Sequence, residues 1–167
     1  WCKTYLIGWW CSLTQQDKEM KNQLTKNFSL AELISSETAR ICHIDNTPSE
    51  EVCLKLKSLC ENVLQPLREV WGGAIVVTSG YRCKALNKKV GGASNSDHLY
   101  GCAADIRSLA GGREKNKMLF DLAVKMMLDK KLAGVKQIID ERGYRWIHIS
   151  WQDGRTMKRN QVLHKPK

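Results

Sequence analysis

The residues best equipped for chemistry in this sequence are two histidines and one aspartate, each in unusual company. His98 sits in a glycine- and serine-rich stretch, "SNSDHLYGCAADI", running from Ser94 to Ile106. Further along it, Asp105 falls inside an apolar run between Ala104 and Ile106. His148 occupies a second apolar run, "RWIHISW". A charged carboxylate left unpaired in an apolar strand costs several kcal/mol, so Asp105 needs a partner. Two partners are open. An arginine would make a salt bridge and leave both histidines as ordinary core or surface residues. A metal ion would take all three side chains. Two neutral imidazoles and one carboxylate suit Zn²⁺, and three protein ligands leave the fourth position to water, the pattern of a catalytic zinc.

These side chains need elements to hold them. "CAADIRS" reads as a short strand, and "VKQIIDE" with "YRWIHISW" reads as an antiparallel hairpin joined around Gly143. "AIVVTSGYR", rich in β-branched residues, reads as a buried strand. "NFSLAELISSETA" opens on a capping box of Ser29 and Glu32, so a short helix follows. In "NTPSEEVCLKLKSLCENVLQPLREVW", Thr47 is expected to cap, with Pro48 at the first helical position and Glu50 completing a second box. Val52, Leu56, Leu59, Val63, Leu67 and Val70 recur there at helical spacing. Pro66 should kink or break this helix near its end, and "WGG" should stop it. "GREKNKMLFDLAVKMMLDKK" predicts another helix, with Leu119, Leu122, Ala123, Met126 and Met127 inward as core filler.

The bulk properties set outer limits. A chain of 167 residues fits one domain with a sizeable core. No run approaches the roughly 18 apolar residues that cross a membrane, so no transmembrane segment is expected. The net charge of +10 suits either anionic partners or a solvated basic surface. No nucleic-acid motif accompanies it, and no specific nucleic acid is expected. Seven cysteines are odd in number and lack CxxC spacing. Cys53 and Cys60 share one helix face, so buried free thiols and no core disulfides are expected, as in a reducing compartment. The first residues, "WCKTYLIGWWCSL", are faintly like a signal segment but lack a clear cleavage site.

The stretch "TSGYRCKALNKKVGGASNSDHLYGCAADI" resembles the D-alanyl-D-alanine carboxypeptidase family of zinc peptidases, peptidase family M15. That clan also holds phage endolysins and the hedgehog signalling domain. The points of likeness are Ser79-Gly80-Tyr81-Arg82, Asn87, Val90-Gly91-Gly92, Ser96-Asp97-His98, Gly101, Ala103 and Asp105-Ile106. The late strand Trp146-Ile147-His148-Ile149-Ser150 completes them, and the likeness covers residues 28–152. The resemblance implies His98, Asp105 and His148 as zinc ligands. It implies that Arg82 binds the substrate carboxylate or steadies the developing oxyanion, though a structural salt bridge to an acid such as Asp105 stays open. Ser96 is read as hydrogen-bonding within the site and fixing the His98 loop, or as simple loop chemistry. Gly91 and Gly92 are read as turn residues, Tyr81 and Asn87 as structural, His43 and His164 as surface residues, and Cys102 as a small buried thiol.

Hydrolysis also needs a base for the proton of the attacking water. The family often places an acid three residues before the last histidine, where this sequence has Arg145. The nearest acids are Asp140 and Glu141. Side chains alternate along a strand, so the hairpin loop decides between them. An even loop, such as residues 142–145, puts Glu141 on the face of His148, diagonal to it; an odd loop puts Asp140 there. Glu141 is the expected base. Ile147 and Ile149 should face the core, with Trp146, His148 and Ser150 toward the cleft.

The expectation is a single α+β domain, a small antiparallel sheet flanked by helices. Residues 1–19 would be an extension or remnant outside the core, residues 20–154 the peptidase domain, and residues 155–167 a basic tail. The expected function is zinc-dependent hydrolysis of peptidoglycan stem peptides in the manner of a D-Ala-D-Ala carboxypeptidase. An endolysin-type L-alanyl-D-glutamate endopeptidase and a non-catalytic zinc- or wall-binding module are the alternatives. A bacterial or phage monomer, made in the cytoplasm and acting on the cell wall, fits that function.

Overall fold

The computed structural model describes residues 22–152, 154 and 160–165. The proposed extension at residues 1–19 lies outside the described residues. A two-stranded antiparallel pair, β1 (Gln23–Thr25) and β2 (Phe28–Ser29), leads into helix α1 (Leu30–Ile34). Ser29 caps α1 and Glu32 reaches back to the Ser29 backbone, the full capping box. Helix α2 (Glu37–Ile41) follows.

The long helical segment begins as α3 (Glu50–Leu59) and ends as α4 (Gln65–Trp71), joined by a π turn over Cys60–Leu64. Its cap is Ser49, not Thr47: the Ser49 side chain accepts from Val52 N. The Thr47 amide is instead donated to Asp45 Oδ1 at 2.9 Å, in a turn that leaves Pro48 outside the helix. Pro66 has no N–H for the Asn62 carbonyl four residues back, and Ala133 N donates to that carbonyl at 3.2 Å. The expected kink therefore takes the form of the π turn just ahead of Pro66. A π turn adds one residue and rotates the faces beyond it. Leu56, Leu59, Val63 and Leu67 are fully buried, whereas Val70, expected inward, is exposed. Gly72 then stops α4 in the left-handed conformation, at φ +70°.

The main sheet is five-stranded: β3 (Ile75–Ser79), β4 (Ala103–Ser108), β5 (Val135–Glu141), β6 (Trp146–Trp151) and β7 (Gln161–His164). Its order is β3-β4-β6-β5-β7. The pairings β3–β4, β4–β6 and β5–β6 are antiparallel, as expected, but β7 joins β5 in parallel, so the sheet is mixed. The stretch after residue 154, read from sequence as a tail, thus supplies a strand that covers the outer edge of β5. Helix α5 (Lys84–Lys89) and a 3₁₀ turn (Asp97–Tyr100) lie between β3 and β4, and helix α6 (Arg113–Leu128) between β4 and β5.

Strand alternation sorts the sheet into two faces. Ala104, Ile106, Ile138, Ile147 and Ile149 pack in one core with Leu56, Leu59 and Leu67 of the first helical segment and Leu119, Ala123 and Met126 of α6. Asp105, Ile139, Glu141 and His148 alternate with those residues and therefore project from the opposite face. The helices cover one side of the sheet and leave the other for a cleft.

Candidate metal centre and its cleft

Register brings the trio together. Asp105 of β4 lies directly opposite His148 of β6. A bulge at Thr78 lets Ser79 pair with Asp105, and the Thr78 hydroxyl donates to the Asp105 carbonyl at 3.0 Å. His98 arrives from the 3₁₀ turn, which Gly101 ends at φ +70°. A Cβ on Gly101 would press on Val52 and Leu56 of the core. Gly80 is equally constrained: a Cβ there would sit 2.1 Å from the Leu33 carbonyl oxygen. This close approach to α1 sets the Gly80 carbonyl where it accepts from His98 Nδ1 at 2.6 Å. A carbonyl only accepts, so Nδ1 carries the ring proton and His98 Nε2 presents a lone pair to the site.

The three facing atoms form a tight triangle. His98 Nε2 is 3.2 Å from His148 Nδ1, His148 Nδ1 is 2.9 Å from Asp105 Oδ1, and His98 Nε2 is 3.3 Å from Asp105 Oδ1. Tetrahedral zinc with bonds of about 2.0–2.1 Å places its ligand atoms about 3.3–3.4 Å apart. The donor atoms therefore stand close to the edges of one face of such a tetrahedron, and among the described residues this trio is the group that could hold a metal ion. The ring electrostatics agree. Burial pushes the His98 imidazole below its ordinary pKa, against the pull of Asp105, and so favours the neutral ligand form. Burial alone would raise the Asp105 carboxyl; the His98 and His148 rings override it and hold the group well below the usual carboxylate range.

A cleft of about 560 Å³ opens over the trio. Arg82, Ser96, Glu141 and Trp146 all line it. Arg82 Nη2 makes a long ion pair with Asp105 Oδ2 at 3.9 Å, beyond hydrogen-bond reach, so the guanidinium lies beside the trio and still faces the cleft. Burial pushes the Arg82 pKa down, partly countered by Asp105. The β5–β6 loop holds an even number of residues: Glu141 pairs with Trp146 and Ile139 with His148. Glu141 is thus diagonal to His148 on the cleft face, and Lys165 Nζ donates to its Oε1 at 2.6 Å. Asp140 points away, buried, and accepts from Tyr144 N. Its other oxygen lies 3.5 Å from Nδ1 of His164, which is exposed, as expected of a surface residue. Ser150, expected to face the cleft, is instead fully buried and is not among the cleft's lining residues.

One feature of the site carried no sequence signal. Lys136 donates to both oxygens of Asp97, at 2.9 and 2.8 Å, and both side chains are largely buried. The pairing of β5 with β6 is irregular between Val135 and Gln137, and that bulge turns Lys136 toward the cleft. The pair ties β5, which carries Glu141, to the turn that carries His98.

Comparison with known proteins agrees with this geometry. The family model described as Peptidase M15 matches residues 26–150. The chain belongs to the peptidase M15 family. A curated relative, the zinc D-Ala-D-Ala carboxypeptidase of Streptomyces albus G, is 50% identical over 44 residues. That match covers 26% of this M15 chain and 17% of the relative, so the matched part of the chain spans under a fifth of that protein's length. The five cysteines among the described residues, Cys42, Cys53, Cys60, Cys83 and Cys102, are free thiols. Burial pushes the Cys60 thiol up to about 12, which makes it an inert core group.

Proposed function

We propose that this M15 chain is a zinc-dependent peptidase that hydrolyses peptidoglycan stem peptides in the manner of a D-Ala-D-Ala carboxypeptidase. The observation that carries the reading is the triangle of His98 Nε2, Asp105 Oδ1 and His148 Nδ1, whose edges suit one face of a tetrahedral zinc. These three atoms would hold the ion. Zinc there would polarise the scissile carbonyl and lower the pKa of water toward about 7.

The remaining roles belong to the chain's own side chains. Glu141, on the cleft face beside His148, accepts the proton of the attacking water and delivers it to the leaving amine. Lys165 holds the Glu141 carboxylate in place, donating to its Oε1. Arg82 binds the substrate's terminal carboxylate or the oxyanion from the flank of the trio. Ser96 lines the cleft where the 3₁₀ turn begins, and its backbone carbonyl, not its side chain, steadies the turn that holds His98 by accepting from Leu99 N at 3.1 Å.

Charge supports an anionic substrate. Three cationic side chains (Arg82, Lys136, Lys165) and three anionic ones (Asp97, Asp105, Glu141) line the cleft, so a divalent ion leaves it with a positive excess. The relative's printed name supports the D-Ala-D-Ala bond. A second groove borders the cleft at Gly91 and Gly92 and would give a chain room on both sides of a bond. That feature favours the alternative, an L-alanyl-D-glutamate endopeptidase. Digestion of purified peptidoglycan with zinc-loaded protein, followed by mass spectrometry, separates the two. Release of free D-alanine supports the carboxypeptidase, new D-glutamate amino termini support the endopeptidase, and no new termini would defeat the proposal.

A further inference from the structure

The groove beyond Gly91 and Gly92 holds a charge arrangement that the fold alone does not call for. About 830 Å³ in volume, it is lined by Tyr81, Leu99 and Tyr100 together with Lys84 and Lys88 of α5. The two lysines stand four residues apart and so share one face of the helix. Like charges at that spacing repel and weaken a helix. Lys84 also sits in the first turn, where the helix dipole disfavours a cation. Among the described residues no acid makes an ion pair with either. Both are exposed. The groove therefore offers an apolar and aromatic wall with an uncompensated cationic rim.

It is also continuous with the catalytic cleft. Gly91 and Gly92 border both. Their position is set by Asn87: its Nδ2 donates to the Ala93 carbonyl at 2.9 Å, and its backbone carbonyl accepts from Gly92 N at 2.8 Å. A Cβ on Gly92 would meet Asn87 Oδ1 at 2.1 Å, so the wall between the two spaces stays thin.

We infer that Lys84 and Lys88 form a carboxylate-reading subsite for the acidic part of the same peptide whose scissile bond lies over the trio. This inference rests on the peptidase reading for its ligand, but it is about recognition rather than turnover. The subsite would favour stem peptides with free side carboxylates over their carboxamide forms, because each lysine offers an ammonium that an uncharged amide cannot balance.

The test is calorimetric titration of the full chain with two synthetic stem peptides that differ only in carboxylate versus carboxamide away from the scissile bond. Two exposed ion pairs predict a preference of about fivefold for the acidic peptide, shrinking as salt is raised. The K84Q/K88Q variant should bind both peptides equally, with unchanged zinc content. Equal binding of the two peptides by the wild-type chain, or a preference that survives in K84Q/K88Q, overturns the inference. The readout is independent of catalysis: lysine-dependent preference without cleavage would sink the peptidase reading and leave this subsite standing.

Discussion

Replacing Glu141 by glutamine separates catalysis from stability. The side chain keeps its shape and its place diagonal to His148 but can no longer take a proton. A positioned base contributes about 10²- to 10⁴-fold, so kcat should fall by that factor, about 2.7–5.5 kcal/mol of barrier. The fold should hardly notice. The pair that Glu141 makes with Lys165 has a well-exposed partner, at 56% relative side-chain exposure, and such pairs are worth about 0–1 kcal/mol. Asp140→Asn should behave in the opposite way. That carboxylate is buried and accepts from Tyr144 N beside His164, so its loss should cost stability, about 1–3 kcal/mol, while kcat stays near wild type. Steady-state kinetics on a stem pentapeptide and urea unfolding of both variants give the four numbers needed. A large loss of kcat in Asp140→Asn together with an active Glu141→Gln would refute the assignment, whatever the unfolding curves show.

His98→Ala and His148→Ala should each fall far below one zinc per chain by elemental analysis, against one per chain in the parent; equal content in all three would contradict the ligand set. Lys136→Met should destabilise by up to about 3–5 kcal/mol, because it leaves Asp97 buried without its ammonium, and a Lys136→Met/Asp97→Leu double variant should recover most of that in chemical unfolding. The metal-free chain should lose stability on acidification. His98 is held neutral and Asp105 ionised in the fold, so both bind fewer protons folded than unfolded. Their contribution is complete at neutral pH, declines as pH drops below about 6.5 through His98, and falls further below about 3.9 through Asp105. A thermal midpoint that stays flat from pH 7 to pH 5 in the metal-free protein would contradict the His98 part.

Much of the site could be read in the sequence because local rules carry it. The spacing from His98 to Asp105 spans one turn and one strand entry, and alternation fixes which side of β4 Asp105 takes. The even hairpin loop sets Glu141 beside His148 by parity alone. Features that depend on distant partners were out of reach. The Thr47 cap failed for a local reason instead: Asp45, two residues back, accepts from the Thr47 amide, and Ser49 caps the helix. The π turn ahead of Pro66 depends on Ala133, far along the chain, taking up the freed carbonyl. The strand β7 has no periodic signal of its own; it exists because the edge of β5 accepts it. The Lys136–Asp97 pair joins residues 39 apart across a bulge, and nothing in the spacing of either marks it.

The measurement that bears most directly on the account is anomalous diffraction at the zinc edge from crystals grown with zinc. The account predicts one strong peak with His98 Nε2, His148 Nδ1 and Asp105 Oδ1 within bonding distance, about 2.0–2.2 Å. A peak held by other side chains, such as Asp97 or Glu141, or no peak between these three atoms at saturating zinc, would contradict it.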